Sequence, residues 1–407
     1  MENALKNIKE LIPPRLKRSL KRILGKHSLY LKDKLPSSLI AYDRWNNCYS
    51  NCESITSQNK EDFEIKGWIA SSKELIRLTI EGAGENEANL MAREDLKKHF
   101  PCHSDSWGFK SHFKTTAETE AIKLTATFKD DSQHTRLIPL PLSEKQQQIL
   151  RIKRNHSLKN ILTSTNIAAK KSNVASYQFD LRSNSLQNEL DDQLWTNTSS
   201  NHYDEIAQAI IGKFADGLVL DCGSGYRREY YPNVINLEIF PYPNVDVLSE
   251  NEELPFKNNS FDAVFSLSVL EHLRDPQKAA TELQRVLKPG GIIYVSAPFL
   301  QPLHGYPHHY FNMTHSGLKT LFEQNCLIQE QGVLASGSPI WSLSWILKSW
   351  SDGLRGKTKQ EFLNKTVTEL IEQPINQLNS NFVKELSPEK NLELASASYI
   401  LASKKSS

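Results

Sequence analysis

Hydrophobic residues follow two different rhythms along this chain. Between Asp62 and Leu142 they alternate with polar ones. Ile76, Leu78 and Ile80 are separated by Arg77 and Thr79; Ile122, Leu124, Ala126 and Phe128 are separated by Lys123, Thr125 and Thr127. A period of two sends successive side chains to opposite faces and predicts half-buried antiparallel strands. Gly67-Trp68 and Trp107-Gly108-Phe109 add aromatic anchors beside turn glycines. The stretch 60–142 therefore reads as a small all-β sandwich of ordinary domain size. From Gly217 onward the apolar runs become short and continuous: Gly217 to Leu220, Val234 to Leu237, a run within Phe261 to Leu273, and Ile292 to Phe299. Runs of that length suit parallel strands buried on both faces.

Helical spacing appears between and around these strands. His202 to Ala215 places Ile206, Ala209, Ile210 and Phe214 on one face. SEKQQQILRIKRNHSLKNIL predicts a helix with Ile149, Leu150, Ile152, Leu158 and Ile161 available for packing. The Ser-, Thr- and Asn-rich sequence that follows runs to Asn201, so 143–201 reads as a helix plus a mobile linker. Beyond the Ile292 strand, a short helix (Ser316 to Glu323) leads to a predicted strand LIQEQGVLAS, residues 327–336. QEFLNKTVTELIE, residues 360–372, reads as one long helix, and Leu392 to Lys404 as a last strand. Pro339 to Trp350 is apolar and carries Trp341, Trp345 and Trp350, for which ordinary core is the plainer reading.

The stretch that organises the rest is GLVLDCGSGYRRE, Gly217 to Glu229. Asp221 falls where the first apolar run should end. Gly223 and Gly225 then permit a tight turn and a close backbone approach to a ligand, which a Cβ would hinder. A second run ends in Glu238, and a carboxylate at that strand tip suits the two hydroxyls of a ribose. ELPF (Glu253 to Phe256), FDAVFSLSVLEHL (Phe261 to Leu273) and LKPGG (Leu287 to Gly291) follow in order.

With DxGxG, LPF, VLEH and LKPGG in this sequence, the chain resembles the class I S-adenosylmethionine-dependent methyltransferases, over roughly Asp204 to Lys405. The resemblance implies an α/β, Rossmann-like seven-stranded methyltransferase sheet at 202–407, with a helical insertion between its last two strands, and S-adenosylmethionine as cofactor. It implies that Asp221 holds water or the methionine amino group, that Gly223 and Gly225 pass beneath the methionine, and that Glu238 accepts from the ribose. Glu250, with Asn251 beside it, falls in the register of the acid that meets the adenine amino group. Ser266 and Leu267 should line the methionine end through their backbone. A nicotinamide dinucleotide fits less well, because Arg228 stands where a third loop glycine would be needed and no second nucleotide-binding half follows. The sandwich, through GWIA, LTIEG, AREDLKKHFP and WGFK, resembles a module found beside bacterial sugar-transferring enzymes.

Composition narrows the setting. A chain of 407 residues with net charge +2 is of ordinary soluble type and suits two domains plus connectors. No apolar run reaches a membrane span, and the start lacks the apolar core of a signal peptide. Five scattered cysteines argue against a disulfide framework and fit a reducing cytoplasm; Cys48 and Cys52 have no matching second pair, so two free thiols are expected rather than zinc. Residues 1–36 carry ten Lys or Arg against three acids. Between 14 and 26, Leu16, Leu20, Ile23 and Leu24 oppose Lys17, Arg18, Lys21 and Arg22. Such a helix either packs on its own protein with a solvated basic face or lies on an acidic partner or an anionic membrane surface, here the inner face. No comparable basic stripe continues, so no nucleic-acid partner is expected.

Methyl transfer displaces a sulfonium, so the protein mainly positions its acceptor, with a base needed only when the nucleophile must lose a proton. Two places offer one. His272, in the pair Glu271-His272, follows the fourth strand, where a helix cap is the plainer reading. The loop after the fifth strand holds His304, His308 and His309, and a packed aromatic lid competes there with acceptor contact or proton removal. That loop brings no carboxylate, so no metal is expected. The acceptor class anticipated is a sugar, glycan or lipid-linked glycan hydroxyl. A small lipid or quinone is the alternative substrate, and a non-catalytic glycan-binding protein the alternative class.

Overall fold

The computed structural model describes residues 40–43, 48–57, 62–93, 96, 105–115, 119–140, 144–163, 175, 178–190, 202–305 and 308–396. The basic segment 14–26 lies outside them. Among the described residues nine strands come first: β1 (Ile40–Asp43), β2 (Cys48–Ser57), β3 (Asp62–Ser71), β4 (Leu75–Glu81), β5 (Glu85–Glu87), β6 (Asn89–Ala92), β7 (Asp105–Lys114), β8 (Ala121–Phe128) and β9 (Gln133–Pro139). They form two antiparallel sheets, ordered β1-β2-β3-β7-β6 and β5-β4-β8-β9. The alternation read from the sequence is the cause. Along β8, Ile122, Leu124, Ala126 and Phe128 are buried and the residues between them are not. These meet Ile65, Ile69, Phe109 and Phe113 of the other sheet in one core that also takes in Cys48 and Cys52. Two of the strands, β1 and β2, precede residue 60.

The chain continues with α1 (Glu144–Leu158), β10 (Phe179–Asp180), α2 (Asn184–Glu189), α3 (Glu205–Lys213), β11 (Val219–Cys222), β12 (Val234–Glu238), β13 (Val247–Leu248), β14 (Phe261–Leu267), α4 (Pro276–Val286) and β15 (Leu287–Ser296). The second sheet system runs β10-β13-β12-β11-β14-β15. β11 pairs in parallel with both β12 and β14, so the connection order reverses around it. All four of its side chains are buried, as a central parallel strand requires.

The described part of the stretch expected as a helix plus a mobile linker is tied into this sheet. Phe179–Asp180 adds an edge strand beside β13, and Arg182 closes on Asp180 through a buried two-pronged pair at 2.7 and 2.8 Å. Helix α1 is tied in more deeply. Arg151 and Arg154 both donate to the buried carboxylate of Asp246, at 2.8 and 2.6 Å. The other oxygen of Asp246 accepts the Asn236 amide of β12. Burial works against this carboxylate's charge, but the two guanidiniums outweigh it and hold the group below its usual range. The ring of Tyr230 lies 4.9 and 5.1 Å from the same guanidiniums. Local sequence pattern could not show the two Arg–Asp246 pairs, because each joins residues more than ninety positions apart.

The chain divides into two compact units: Met1–Glu250 with Pro255–Phe265 and Val286–Tyr294, and Asn251–Leu254 with Ser266–Arg285 and Val295–Ser407. Within the first, α3 comes down on the sandwich at Gly212. A Cβ there would sit 1.9 Å from the Thr135 carbonyl oxygen of β9. The second unit is mainly helical: α5 (His315–Thr320), α6 (Pro339–Asp352), α7 (Gly356–Leu363), α8 (Val367–Leu370), α9 (Pro374–Gln377), α10 (Asn381–Lys384) and α11 (Pro388–Glu393). Trp350 stacks on Phe362 at 5.9 Å beside Phe382 and Leu354, which form its small core.

The described residues supply six strands to the parallel sheet system. Three expectations differ here. Residues 327–334 form no strand; Leu327 is 89% and Val333 75% exposed, so their apolar spacing serves no sheet face. The long helix at 360–372 is two, because Thr366 starts α8 afresh with a reciprocal capping box to Glu369. Of the final predicted strand, Leu392 and Glu393 belong to α11, and residues from 397 lie outside the described set. Among the described residues no helix is long and apolar enough to cross a membrane.

Two substitutions test these packing arguments. Asp246→Asn leaves two buried guanidiniums short of a counter-charge and should lower unfolding free energy by about 3–5 kcal/mol, read as a reduced denaturant midpoint. Gly212→Ala should cost about 1–3 kcal/mol through overpacking against β9. Gly84→Ala, which meets nothing within 4 Å, serves as its control.

Candidate cofactor and histidine sites

The cofactor-side residues of the first unit gather at the ends of β11 and β12. Gly223 and Gly225 have φ of +80° and +59°, the left-handed region that glycine enters at no steric cost. The turn is held from β12: Gly223 and Ser224 amides both donate to the Leu237 carbonyl, at 2.9 and 3.0 Å. The Gly225 amide donates to Glu238 Oε2 at 2.8 Å, and the Ile239 amide to Oε1 at 2.8 Å. Each Glu238 oxygen keeps an accepting lone pair beyond these contacts. Burial pushes the Glu238 carboxyl up, while the Ile239 and Gly225 amides pull the other way. Nothing lies within 4 Å of where a Cβ on Gly225 would stand.

Asp221 is fully buried at the end of β11. Its Oδ2 accepts from the Tyr203 hydroxyl at 2.6 Å and from Arg227 at 3.1 and 3.2 Å. Its Oδ1 is buried with no hydrogen-bond partner. The Arg227 guanidinium also lies 4.2 Å from the Tyr203 ring centre. Burial and the adjacent carboxylate push the Tyr203 hydroxyl well above its usual range. Burial opposes the charge on Arg227, yet Asp221 outweighs it and raises that group. One carboxylate oxygen is thus saturated by protein while the other remains available. Neither Tyr203 nor Arg227 was singled out by sequence reasoning. Arg227 lies within the loop motif six residues after Asp221, which was the one signal on offer.

Glu250 belongs to the same unit, and both of its oxygens accept from the Ser183 amide, at 2.9 and 3.3 Å. Asn251, Ser266 and Leu267 fall in the second unit; Asn251 and Ser266 are buried and Leu267 is half-buried.

The histidines form a group of their own within the second unit. A short 3-10 turn, Leu270–His272, presents Glu271 and His272. Residues 308–311 clip onto it, since the amides of Tyr310 and Phe311 donate to the Glu271 carbonyl at 2.8 and 3.2 Å. Gly305, at φ +83°, lets the loop pass His272; a Cβ would stand 2.1 Å from its Cε1. The rings of His304 and His309 then lie 5.6 and 5.8 Å from that of His272. His309 is engaged at both nitrogens: Nδ1 accepts the His304 amide, and Nε2 faces Phe311 O and Asn312 Oδ1. His308 is exposed and packs against Tyr310 at 5.4 Å. Burial lowers His272 and His304, and it pushes the Glu271 carboxyl up to about 7.

Residues 220–295 match the family described as a methyltransferase domain. A Mycolicibacterium smegmatis protein named as a probable S-adenosylmethionine-dependent methyltransferase is 31% identical over 122 residues, covering 26% of this chain and 47% of that protein. A ubiquinone/menaquinone biosynthesis C-methyltransferase of Pasteurella multocida is 34% identical over 98 residues, covering 23% and 36%. The chain thus spans less than half the length of these relatives. A solved SAM-dependent methyltransferase from Thermotoga maritima is 25% identical over 26% of this chain and 62% of that one, with a TM-score of 0.23. The β11–β15 region is a class I S-adenosylmethionine-dependent methyltransferase domain. Its cofactor is S-adenosylmethionine.

The Asp221 pairing makes a stability prediction. Tyr203→Phe keeps the ring under Arg227 but removes the hydroxyl donor, and should cost about 1.5–3 kcal/mol, as for a hydrogen bond to a charged group. Thermal unfolding against wild type measures it.

Proposed function

We propose that this protein transfers a methyl group from S-adenosylmethionine to a hydroxyl of a sugar or glycan acceptor. The carrying observation is the cradle of Asp221, Gly223, Gly225 and Glu238. It combines a buried carboxylate oxygen without a partner, open space over Gly225 and a half-buried acid at the next strand end. Those features suit an ammonium, a close-lying chain and a vicinal diol in turn, which are the polar groups of this cofactor. When bound, the cofactor supplies a methyl group already activated on a sulfonium. Asp221 would hold the amino group through Oδ1, its other oxygen being fixed by Tyr203 and Arg227. Glu238 would accept from the ribose, and Glu250 would lie toward the adenine.

His272, His304, His308 and His309 remain the acceptor-side candidates, for contact or proton removal. His309 is the least suited to receive a proton, since both of its ring nitrogens are already engaged. The sandwich supports the glycan reading through its likeness to a module of sugar-transferring enzymes. A quinone or small-lipid acceptor is the second reading, favoured by the quinone-pathway methyltransferases among the relatives. Contact of 14–26 with an anionic membrane surface would suit either a lipid-linked glycan or a lipid.

Calorimetric titration tests the cofactor. Wild type should bind S-adenosylmethionine and ignore NAD, and Glu238→Ala should bind about 10–100-fold more weakly, the equivalent of losing hydrogen bonds to a charged group. Equal binding by the variant would remove Glu238 from the site. Radioactive methyl transfer into oligosaccharide, lipid-linked glycan or lipid extract then separates the acceptor readings.

A further inference from the structure

We propose that Glu271, His272 and His304 form a binding site for a divalent transition-metal ion of the zinc type, with an open coordination position. The three side chains each turn one ligand atom inward, and these atoms all lie within 4.8 Å of one another. His272 Nε2 and Glu271 Oε1 are 3.7 Å apart. Tetrahedral ligands at zinc distances of about 2.0–2.1 Å stand a little over 3 Å from each other, so small side-chain rotations close the set.

The hydrogen bonds choose the tautomers. His272 Nδ1 lies 2.7 Å from the His308 carbonyl oxygen, and His304 Nδ1 lies 2.8 Å from the Pro302 carbonyl oxygen. A carbonyl can only accept, so in both rings the proton sits on Nδ1 and Nε2 carries a lone pair. This is the outer-shell arrangement of metal-bound histidines, whose second nitrogen donates to a carbonyl or carboxylate. His309, with both nitrogens engaged, is not a member; it braces the His304 backbone.

Glu271 provides the independent observation. Its side chain is completely buried, and neither oxygen has a hydrogen-bond partner. Buried carboxylates without donors are rare, because desolvation is then uncompensated. A cation between this group and two imidazole lone pairs would supply what the protein does not. Two neutral imidazoles and one carboxylate suit zinc and its first-row neighbours, whereas calcium and magnesium favour all-oxygen sets. Three protein ligands leave a fourth position for water or an oxygen ligand. The sequence alone pointed away from a metal, since the histidine loop contains no carboxylate. The acid comes from the 3-10 turn more than thirty residues earlier.

Metal binding is read directly, without turnover, so its outcome is independent of the methyl-transfer reading. The tag-free, chelator-treated full chain is titrated with zinc against a chromophoric chelator, and with cobalt(II) for its visible absorption. Wild type should take one equivalent. Glu271→Gln and His304→Ala should each weaken zinc binding at least about 100-fold, beyond the 10–100-fold usual for an outer-shell change. His315→Ala, on α5, should bind as wild type. Since a variant could misfold, 15N-histidine spectra of the wild type give a second readout. Zinc should move the Nε2 resonances of two rings while their Nδ1 atoms stay protonated. Substoichiometric binding by wild type, no movement of any Nε2 resonance, or folded variants that bind within tenfold of wild type would each overturn the site.

Discussion

The buried carboxylate of Asp246 is the constraint on which the parallel sheet depends. It joins Arg151 and Arg154 of α1 to the Asn236 amide of β12, while the Asp246 carbonyl accepts the Phe179 amide of the edge strand. A charge removed this far from water persists only if opposite charge and hydrogen bonds surround it. Helix α1 is therefore part of the sheet's support rather than a tether before it. Glu238 ends the strand to which Asp246 is bound, so the acid that faces the glycine turn inherits its position from a helix well outside the motif.

Two further buried carboxylates show how the same desolvation cost serves different ends. Asp221 has one oxygen saturated by Tyr203 and Arg227 and the other unpartnered. The saturated side fixes the rotamer, and the free side retains its full accepting capacity in a place that water reaches poorly. Glu271 is more extreme, with both oxygens unpartnered. Where a fold tolerates such groups, the missing partner is the natural object of inquiry.

The sheet's centre was legible because its signals are local. An apolar run, an acid at its end and glycines at the turn are decided within a dozen residues, and the structure places Gly223 and Gly225 at positive φ as the tight turn needs. The sandwich was legible for the same reason, since period-two burial shows within each strand, as in β8. The misreadings lie where local pattern lacks a partner. Residues 327–336 have strand-like composition, but Leu327 and Val333 remain in solvent. The helix predicted over 360–372 breaks at Thr366, where a capping box outcompetes continuation. Polar composition over 143–201 suggested a helix plus a mobile linker, because buried arginines and solvated ones are spelt alike.

The sequence by itself determined the strand rhythm, the glycine turn and the order of carboxylates along the methyltransferase motif, all of which depend on neighbours in the chain. Tertiary structure alone decided which charges became buried and which found partners. Asp246 meets arginines more than ninety residues away, and Glu271 is brought to His304 by a loop that folds back over the turn. Periodicity can announce which face of an element is apolar. It carries no record of what a polar side chain will meet across the fold, because that pairing is set by the packing of elements and not by their spacing in the chain.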